Sequence, residues 1–422
     1  MSYDTHLILV IISGNEKEAI KIVKKSNPHP EVVNKYGDTA LLLAIHYSME
    51  TLALILLKTL NANPSHIDKH GNSALILSIK KNLPNISNMI INLYKNYNIN
   101  HVDAHNDSAL SMSIRMKMYD ISEKLIKNKL CNISHIDEQG DTPLIIAIDM
   151  CESNLAIKII QTGKSLPSHV NKHGFTALLL ALCKDNEKIA NLLIETGNSI
   201  PEYIGNTGDT ALILALSKNY EYTAELIVEY SLNNISHINE MGDTALLLAL
   251  SKNYINVVNI LLNNNVSNIS HFNKMGDNAL FLAINTGNEN IALQIFNRGD
   301  SNYRGNSPLI MSINNGMLKL ASEIIKSGTK DLLEYINKEN DTALIIAISK
   351  QYWDIVNQLI DSGYSNPHHI NNQNDNALLL CMSIGNIYVA KKLISKCNCD
   401  KTHKNKFGVS SLDIAKYNGY ML

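Results

Sequence analysis

Tryptophan, phenylalanine, proline and cysteine are scarce in this 422-residue chain, which has one tryptophan, five phenylalanines, nine prolines and six cysteines. The cysteines fall at unrelated places, so they do not suggest a disulfide framework. No apolar run approaches the roughly 20 residues that a membrane-spanning helix needs. The apolar residues 7–12 are too few for a signal peptide, and lysines follow rather than precede them. These absences predict an intracellular, cytoplasmic protein without membrane contacts.

An excess of charge of one sign is also lacking. The 37 Lys and Arg residues nearly balance the 39 Asp and Glu residues, which leaves a formal net charge of −2. Nucleic-acid binding needs a basic surface, so we expect no nucleic-acid partner. A catalytic site needs a non-repeating convergence of nucleophile, base and oxyanion donors, whereas every window of this chain aligns to a repeat. We therefore predict a non-catalytic protein without cofactor or metal.

The dominant feature of the sequence is a repeat whose clearest copy is GDTALLLAL, residues 242–250. The copies begin 34 or 35 residues apart, except for one step of 29 residues between Gly276 and Gly305. A fixed period of this size is typical of stacked supersecondary units, which bury their apolar faces against one another. The thirteen copies begin at Tyr3, Gly37, Gly71, Asn106, Gly140, Gly174, Gly208, Gly242, Gly276, Gly305, Asn340, Asn374 and Gly408.

Each unit has the pattern of a tight turn, a first helix, a second helix and an extended finger. The turn residue is Gly in nine units and Asn in three, the two residues that reach positive φ at least cost. Two places later stands Thr, Ser or Asn in every unit, which predicts a helix N-cap, with Thr5 as the cap of the first unit. The first helix should end about eleven residues after the turn, where Gly or Asn often stands. We expect about 24 to 26 helices in all, with hairpin tips near 35–36, 69–70, 172–173 and 240–241.

The pattern D/N-x-x-G-x-T-A/P-L-x-x-A, followed by a helix–turn–helix, resembles the ankyrin repeat over nearly the whole chain, from Tyr3 to Leu422. The resemblance implies an all-α repeat solenoid, with stacked helix–turn–helix units joined by β-hairpin-like fingers. One departure is consistent: the His of the family's Thr-Pro-Leu-His motif is replaced by apolar residues such as Leu42, Ile76 and Leu247. Another group must therefore connect adjacent loops.

A row of histidines stands five residues before the turn in many units. A zinc site needs several ligands within about 2.0–2.1 Å of one ion, whereas stacked units place equivalent residues about 8–10 Å apart. The pattern therefore favours a ladder of imidazoles that bond to neighbouring loops over a metal site. The row comprises His66, His101, His135, His169, His237, His271, His369 and His403.

The spacing of the repeats also predicts the domain organisation. A capping unit at 1–36 is followed by eight units at 37–304, three at 305–407 and a truncated unit at 408–422. The unit at 276–304 has lost most of its finger, so the row of fingers should break at 300–304. The high content of Asn, Ile and Lys, combined with ankyrin repeats, resembles the long ankyrin arrays of giant amoeba-infecting DNA viruses. Amoebae and intracellular bacteria are the other sources considered; a viral source would place the protein in host cytoplasm, with host proteins as partners.

Free variation inside a fixed frame favours a binding function. The two residues before each turn vary between units while the core positions hardly change. In the resembled family, the hairpin tips and the ends of the first helices line a concave face that grips partner proteins. We predict a monomeric protein–protein interaction scaffold; the alternative is a structural or self-assembling array that uses the uncovered C-terminal end. The predicted partner-binding residues are the tips Lys172, His173, Glu240, Met241, Lys274 and Met275, and a basic stripe of Lys184, Lys218 and Lys252.

Overall fold

The computed structural model describes residues 3–93, 97–264, 268–299 and 307–421. These residues form 26 helices, and their only β-structure is a set of isolated antiparallel bridges. The chain divides into two compact units, Met1–Asn233 and Asn234–Leu422. None of the described helices is long and apolar enough to cross a membrane. The predicted helical repeat fold is confirmed.

In the first unit, odd-numbered helices are the first helices of successive repeats and even-numbered helices are the second. Each first helix packs against the second helix of its own repeat and against the first helix of the next. The helices are α1 Tyr3–Ile12, α2 Glu16–Ser26, α3 Ala40–His46, α4 Glu50–Thr59, α5 Ala74–Lys80, α6 Pro84–Leu93, α7 Ala109–Arg115, α8 Tyr119–Lys127, α9 Pro143–Asp149, α10 Ser153–Gln161, α11 Ala177–Cys183, α12 Glu187–Glu195, α13 Ala211–Ser217 and α14 Glu221–Tyr230.

The second unit continues the pattern with two differences. A four-residue helix, α21, follows α20 in the finger of its repeat, and the last repeat contributes only α26. The helices are α15 Ala245–Ser251, α16 Ile255–Asn263, α17 Ala279–Asn285, α18 Glu289–Asn297, α19 Pro308–Asn314, α20 Leu318–Lys326, α21 Lys330–Leu333, α22 Ala343–Ser349, α23 Trp353–Ser362, α24 Ala377–Ile384, α25 Ile387–Cys397 and α26 Ser411–Asn418.

The predicted N-caps explain where the first helices begin. The hydroxyl oxygens of Thr39, Ser73 and Thr342 accept a hydrogen bond from the backbone N–H three residues later, at 3.3–3.4 Å. Each bond satisfies one donor that the first helical turn leaves without an intrahelical partner. The prediction for Thr5 was wrong. Thr5 lies inside α1, which already begins at Tyr3, because within the described residues no turn precedes this helix.

The first helices form the core because they are packed on nearly every side. The Leu four residues after the turn is buried in every repeat but the last, where Leu412 is half-buried. After the first repeat, the residue seven after the turn is small, as in Ala44 and Ala147, which are fully buried. A small side chain there allows the neighbouring first helix to approach closely. Burial of each large apolar side chain contributes about 1.5–3 kcal/mol, so the stacking of repeats stabilises helices of only seven residues.

The end of the first helix has the same backbone in all thirteen repeats. The residue eleven places after the turn has positive φ, between 54° and 88°, in every one. Gly and Asn were predicted there; the structure shows that five other residues, of which only Asp shares Asn's tolerance for this conformation, adopt it as well. These are Ser48, Lys117, Cys151, Asp185 and Gln351. The predicted break in the fingers at 300–304 lies outside the described residues.

Candidate functional site

Each finger ends in a tight turn that holds its tip. In the first complete finger, the carbonyl of Asn34 accepts the N–H of Gly37 at 3.0 Å, and Asn34 donates its own N–H to Asp38 at 2.9 Å. The turn residue has positive φ, for instance 84° at Gly37 and 59° at Asn106. In five fingers a single antiparallel bridge joins the residues on either side of the turn, such as Val33 and Thr39. The predicted tip positions, including 35–36, are confirmed.

The recurring histidines connect consecutive fingers. In seven repeats the Nε2 atom lies 2.7–2.8 Å from the carbonyl oxygen of the turn residue in the preceding repeat. Because a carbonyl only accepts hydrogen bonds, Nε2 must carry the proton in each case. The predicted imidazole ladder is confirmed. The pairs are His66 with Gly37, His101 with Gly71, His135 with Asn106, His169 with Gly140, His271 with Gly242, His369 with Asn340 and His403 with Asn374.

Asn at the turn adds a second bond between fingers. The Nδ2 atoms of Asn106, Asn340 and Asn374 donate to backbone carbonyls of the next finger at 2.8, 2.9 and 2.6 Å. Gly cannot make this bond, although it reaches positive φ more easily. Asn at the turn therefore adds one hydrogen bond between repeats, whereas Gly adopts the positive φ of the turn at a lower energetic cost.

An Asp or Asn three residues before the turn holds the tip from inside. Asp103 is representative: its Oδ1 accepts the backbone N–H groups of His105 and Asp107, both at 2.9 Å. Where this residue is Asn, its Nδ2 donates in four fingers to the Asp that follows the preceding turn, at 2.8–3.1 Å. We call these amide fingers; their donors are Asn171, Asn273, Asn371 and Asn405.

In two neighbouring fingers this residue is an Asp that pairs with a basic residue of the preceding first helix, and we call these two the charged fingers. Lys80 lies 2.7 Å from Asp103, and Arg115 pairs with Asp137. The two Asp side chains are 0% and 3% exposed, so each charge needs its counterion. Burial opposes ionisation of Asp103, but hydrogen bonds from Lys80 and from the backbone of Asp107 outweigh it and hold the pKa of this carboxyl below its ordinary value.

The charged fingers follow a rule that the sequence contains but that our sequence analysis missed. A basic residue stands nine places after a turn whenever the next finger has Asp at the position three before its turn. The three cases are His46 with Asp68, Lys80 with Asp103, and Arg115 with Asp137. The remaining fingers have Asn or Gly there, and no basic residue stands nine after the preceding turn. A comparison of position pairs between adjacent repeats would have revealed this match.

The predicted tip residues are at the surface. Lys172, His173, Glu240 and Lys274 are exposed, as are Met241 and Met275, at 63% and 85%. Neighbouring tips are linked by backbone bonds: the N–H of Lys172 donates to Gln139, and that of Lys274 to Met241, both at 3.3 Å. The exposed tip side chains therefore stand on fingers whose backbones are hydrogen-bonded to each other in these two pairs.

The predicted basic stripe has neighbours that the sequence did not reveal. Lys184 lies 2.9 Å from Asp149, and Lys218 pairs with Asp185, each carboxylate coming from the preceding repeat. Hydrogen bonds to these carboxylates raise the pKa of both lysines. The pairs are largely exposed, so each contributes about 0–1 kcal/mol and exchanges readily. Lys252 is exposed at the end of α15 in the second unit.

A protein-family model agrees with this geometry over part of the chain. The family described as ankyrin repeats, in three copies, matches residues 154–237 and 226–304. The chain has the ankyrin-repeat fold. Among solved structures, the ankyrin repeat domain of Bcl-3, described as a unique member of the IkappaB protein family, is similar at 17% identity and a TM-score of 0.39, with 51% of this chain and 95% of that chain covered. A search of curated proteins found no match.

The ankyrin fold explains which site residues could be found from sequence. Turns, caps and the histidine row recur at fixed positions, so the repeat itself marks them. The pairs Lys184–Asp149 and Lys218–Asp185 join different positions of different repeats. No periodic signal marks such pairs, and only the stacking of the ankyrin repeats brings them together.

Proposed function

We propose that this chain is a non-catalytic protein-binding scaffold that holds partner proteins with its finger tips and the ends of its first helices. Ankyrin repeats are generally protein–protein interaction modules. The observation that carries the proposal is the contrast within each finger: variable, exposed tips stand on a frame fixed by the imidazole ladder. A frame that is already ordered loses less conformational entropy on binding. Host proteins are the proposed partners if the source is viral, and the host cytoplasm the proposed location.

Two methionine tips are the best place to test the proposal. Met241 and Met275 are exposed on adjacent, backbone-linked tips, and Met side chains adapt to varied apolar surfaces. We expect proteins captured from amoeba lysate by the full chain to be lost at least tenfold in the double variant Met241→Lys, Met275→Lys. The matched control is Leu93→Lys, because Leu93 is 60% exposed at the end of the second helix α6, outside the fingers. Equal capture by the tip variant, measured by quantitative mass spectrometry, would refute this role of the tips.

The basic residues Lys184, Lys218 and Lys252 are proposed to speed association with an acidic partner. Complementary charge acts mainly on the association rate and on register. A captured partner should therefore bind the triple Lys→Glu variant more slowly and with a changed dependence on salt. An unchanged rate and salt dependence would mean that these lysines serve only to complement the helix ends and the neighbouring carboxylates.

Self-association is the second candidate, favoured by one observation on the last repeat. Phe407, Tyr417 and Met421 are 82%, 90% and 87% exposed, and exposed apolar clusters often mark interfaces. If this candidate holds, light scattering should show a mass that rises with concentration, and Tyr417→Lys should abolish the rise. A constant monomer mass would exclude it and support the scaffold.

A further inference from the structure

The first residue of the second helix differs between repeats. That residue is Glu in five repeats: Glu16, Glu50, Glu187, Glu221 and Glu289. In two of them the carboxylate caps the second helix of the next repeat. Glu16 accepts the N–H of Leu52 at 3.0 Å, and Glu289 accepts those of Lys319 and Leu320 at 2.7 and 3.2 Å. Glu at this place thus stabilises its neighbour.

Three consecutive repeats of the second unit have a large apolar residue at this place instead of Glu. Their second helices begin with Leu318, Trp353 and Ile387, which cannot cap a helix. Leu318 is 37% exposed, and Trp353 and Ile387 are half-buried. Trp353 is the chain's single tryptophan. Apolar side chains that stay exposed or half-buried at the start of three successive second helices are typical of a surface that binds a partner.

Two of these residues, Leu318 and Trp353, open onto a groove between second helices. A cavity of about 840 Å³ lies between α20 and α23 and is bounded by α18. Its apolar lining includes Leu293, Leu318 and Trp353, with Ile355 beneath. No finger-tip residue takes part. The groove is therefore a different surface from the tips that carry the proposed scaffold function.

The two walls of the groove carry opposite charges that have no ion-pair partner among the described residues. Lys319 stands on the α20 wall and Asp354 on the α23 wall. The other wall lysine, Lys326, is already paired with Glu323 at 2.7 Å. A ligand that fits must therefore present an apolar face flanked by an acid on one side and a base on the other.

We propose that this groove binds an amphipathic helix of a partner protein, with its apolar face over Leu318 and Trp353. A helix with side chains is about 10–12 Å across and packs about 8–10 Å from each of two parallel helices, which matches a groove between α20 and α23. An acidic residue of the ligand faces Lys319, and a basic residue faces Asp354. This mode buries apolar residues at i, i+3, i+4 and i+7 of the ligand helix.

The test uses the full chain and a model helix. The probe is a fluorescein-labelled, 18-residue peptide with leucine along one face, glutamate on one flank and lysine on the other. We expect saturable binding by anisotropy, and a shift of the Trp353 emission to shorter wavelength with unlabelled peptide. The same peptide with serine in place of leucine should not bind. Absence of binding by the leucine peptide, or equal binding by the serine peptide, overturns the proposal.

Two variants place the binding at the groove. Trp353→Glu and Leu318→Glu each introduce the residue that begins the second helix in five other repeats, so the helices should still form. Each variant should weaken peptide binding, measured by anisotropy, at least tenfold. Trp353→Phe should retain it. The tip variant Met241→Lys, Met275→Lys should leave peptide binding unchanged. The groove proposal can therefore be refuted without refuting the scaffold proposal, and the reverse also holds. Undiminished binding by Trp353→Glu would refute the groove as the site.

Discussion

The charged fingers of the first unit and the amide fingers of the second have the same frame with different chemistry. In both, the residue three before the turn accepts two backbone N–H groups of its own tip. Asp103 and Asp137 then need Lys80 and Arg115 from the preceding first helix, whereas Asn371 and Asn405 donate to Asp341 and Asp375. A carboxylate needs a basic side chain from the preceding first helix, whereas an amide donates a hydrogen bond to the Asp that follows the preceding turn.

Removing the arginine should produce the largest difference between the two finger types. Arg115→Met leaves the buried carboxylate of Asp137 without its counterion, and breaking such a pair costs about 3–5 kcal/mol. Native-state hydrogen exchange of α7 and α9 should show the loss. Adding Asp137→Asn should recover most of it. The matched control Ser349→Met, at the same place before an amide finger, should change little; an equal loss there would contradict the distinction.

A histidine of the imidazole ladder should contribute equally to stability in a charged finger and in an amide finger. His101→Leu, in a charged finger, and His369→Leu, in an amide finger, each remove the donor and leave a turn carbonyl unsatisfied. The expected local loss is about 1–3 kcal/mol in both, read from exchange of the backbone N–H groups of the two tips. A loss confined to one finger type would mean that the ladder depends on the residue three before the turn.

Lowering the pH should destabilise a charged finger, but by less than the substitutions above. The pKa of Asp103 is lowered in the folded protein, so its contribution to stability is fully present above the unfolded value of about 3.9 and is lost as the pH falls through the lower folded value. Asp103→Asn should be less stable than the natural chain at pH 7, and the two should converge towards pH 3. Burial raises the pKa of Asp107, so the contribution of Asp107 to stability changes with pH in the opposite direction to that of Asp103. Parallel pH curves for urea unfolding would contradict the assignment to Asp103.

The smallest effect should be a gain of stability that is equal in both regions. Lys117 and Gln351 adopt φ of 57° and 60° at the ends of first helices, where residues other than Gly and Asn are disfavoured. Lys117→Asn and Gln351→Asn should each stabilise the protein by about 0.5–1 kcal/mol, measured by thermal unfolding. A gain at only one position would show that side-chain contacts, rather than the backbone, set the energy.

Much of the fold could be predicted because its signals are local. A turn residue, a cap and an apolar helix act within about ten residues of one another, and repetition makes each signal visible many times. The caps at Thr39 and Thr342 and the turns at Gly37 and Asn106 were found in this way. Thr5 failed because the same letters follow no turn within the described residues.

The sequence by itself determined the repeat, the order of its elements and the histidine ladder, since each depends on one residue type at one recurring position. Tertiary structure alone decided that Lys184 meets Asp149, that Lys117 accepts a left-handed backbone, and that Leu318 and Trp353 line one groove. These features join residues of neighbouring repeats, or impose on one residue the backbone that its neighbours require. Stacking energy shared by whole helices outweighs the preference of a single side chain, so no local pattern records the outcome.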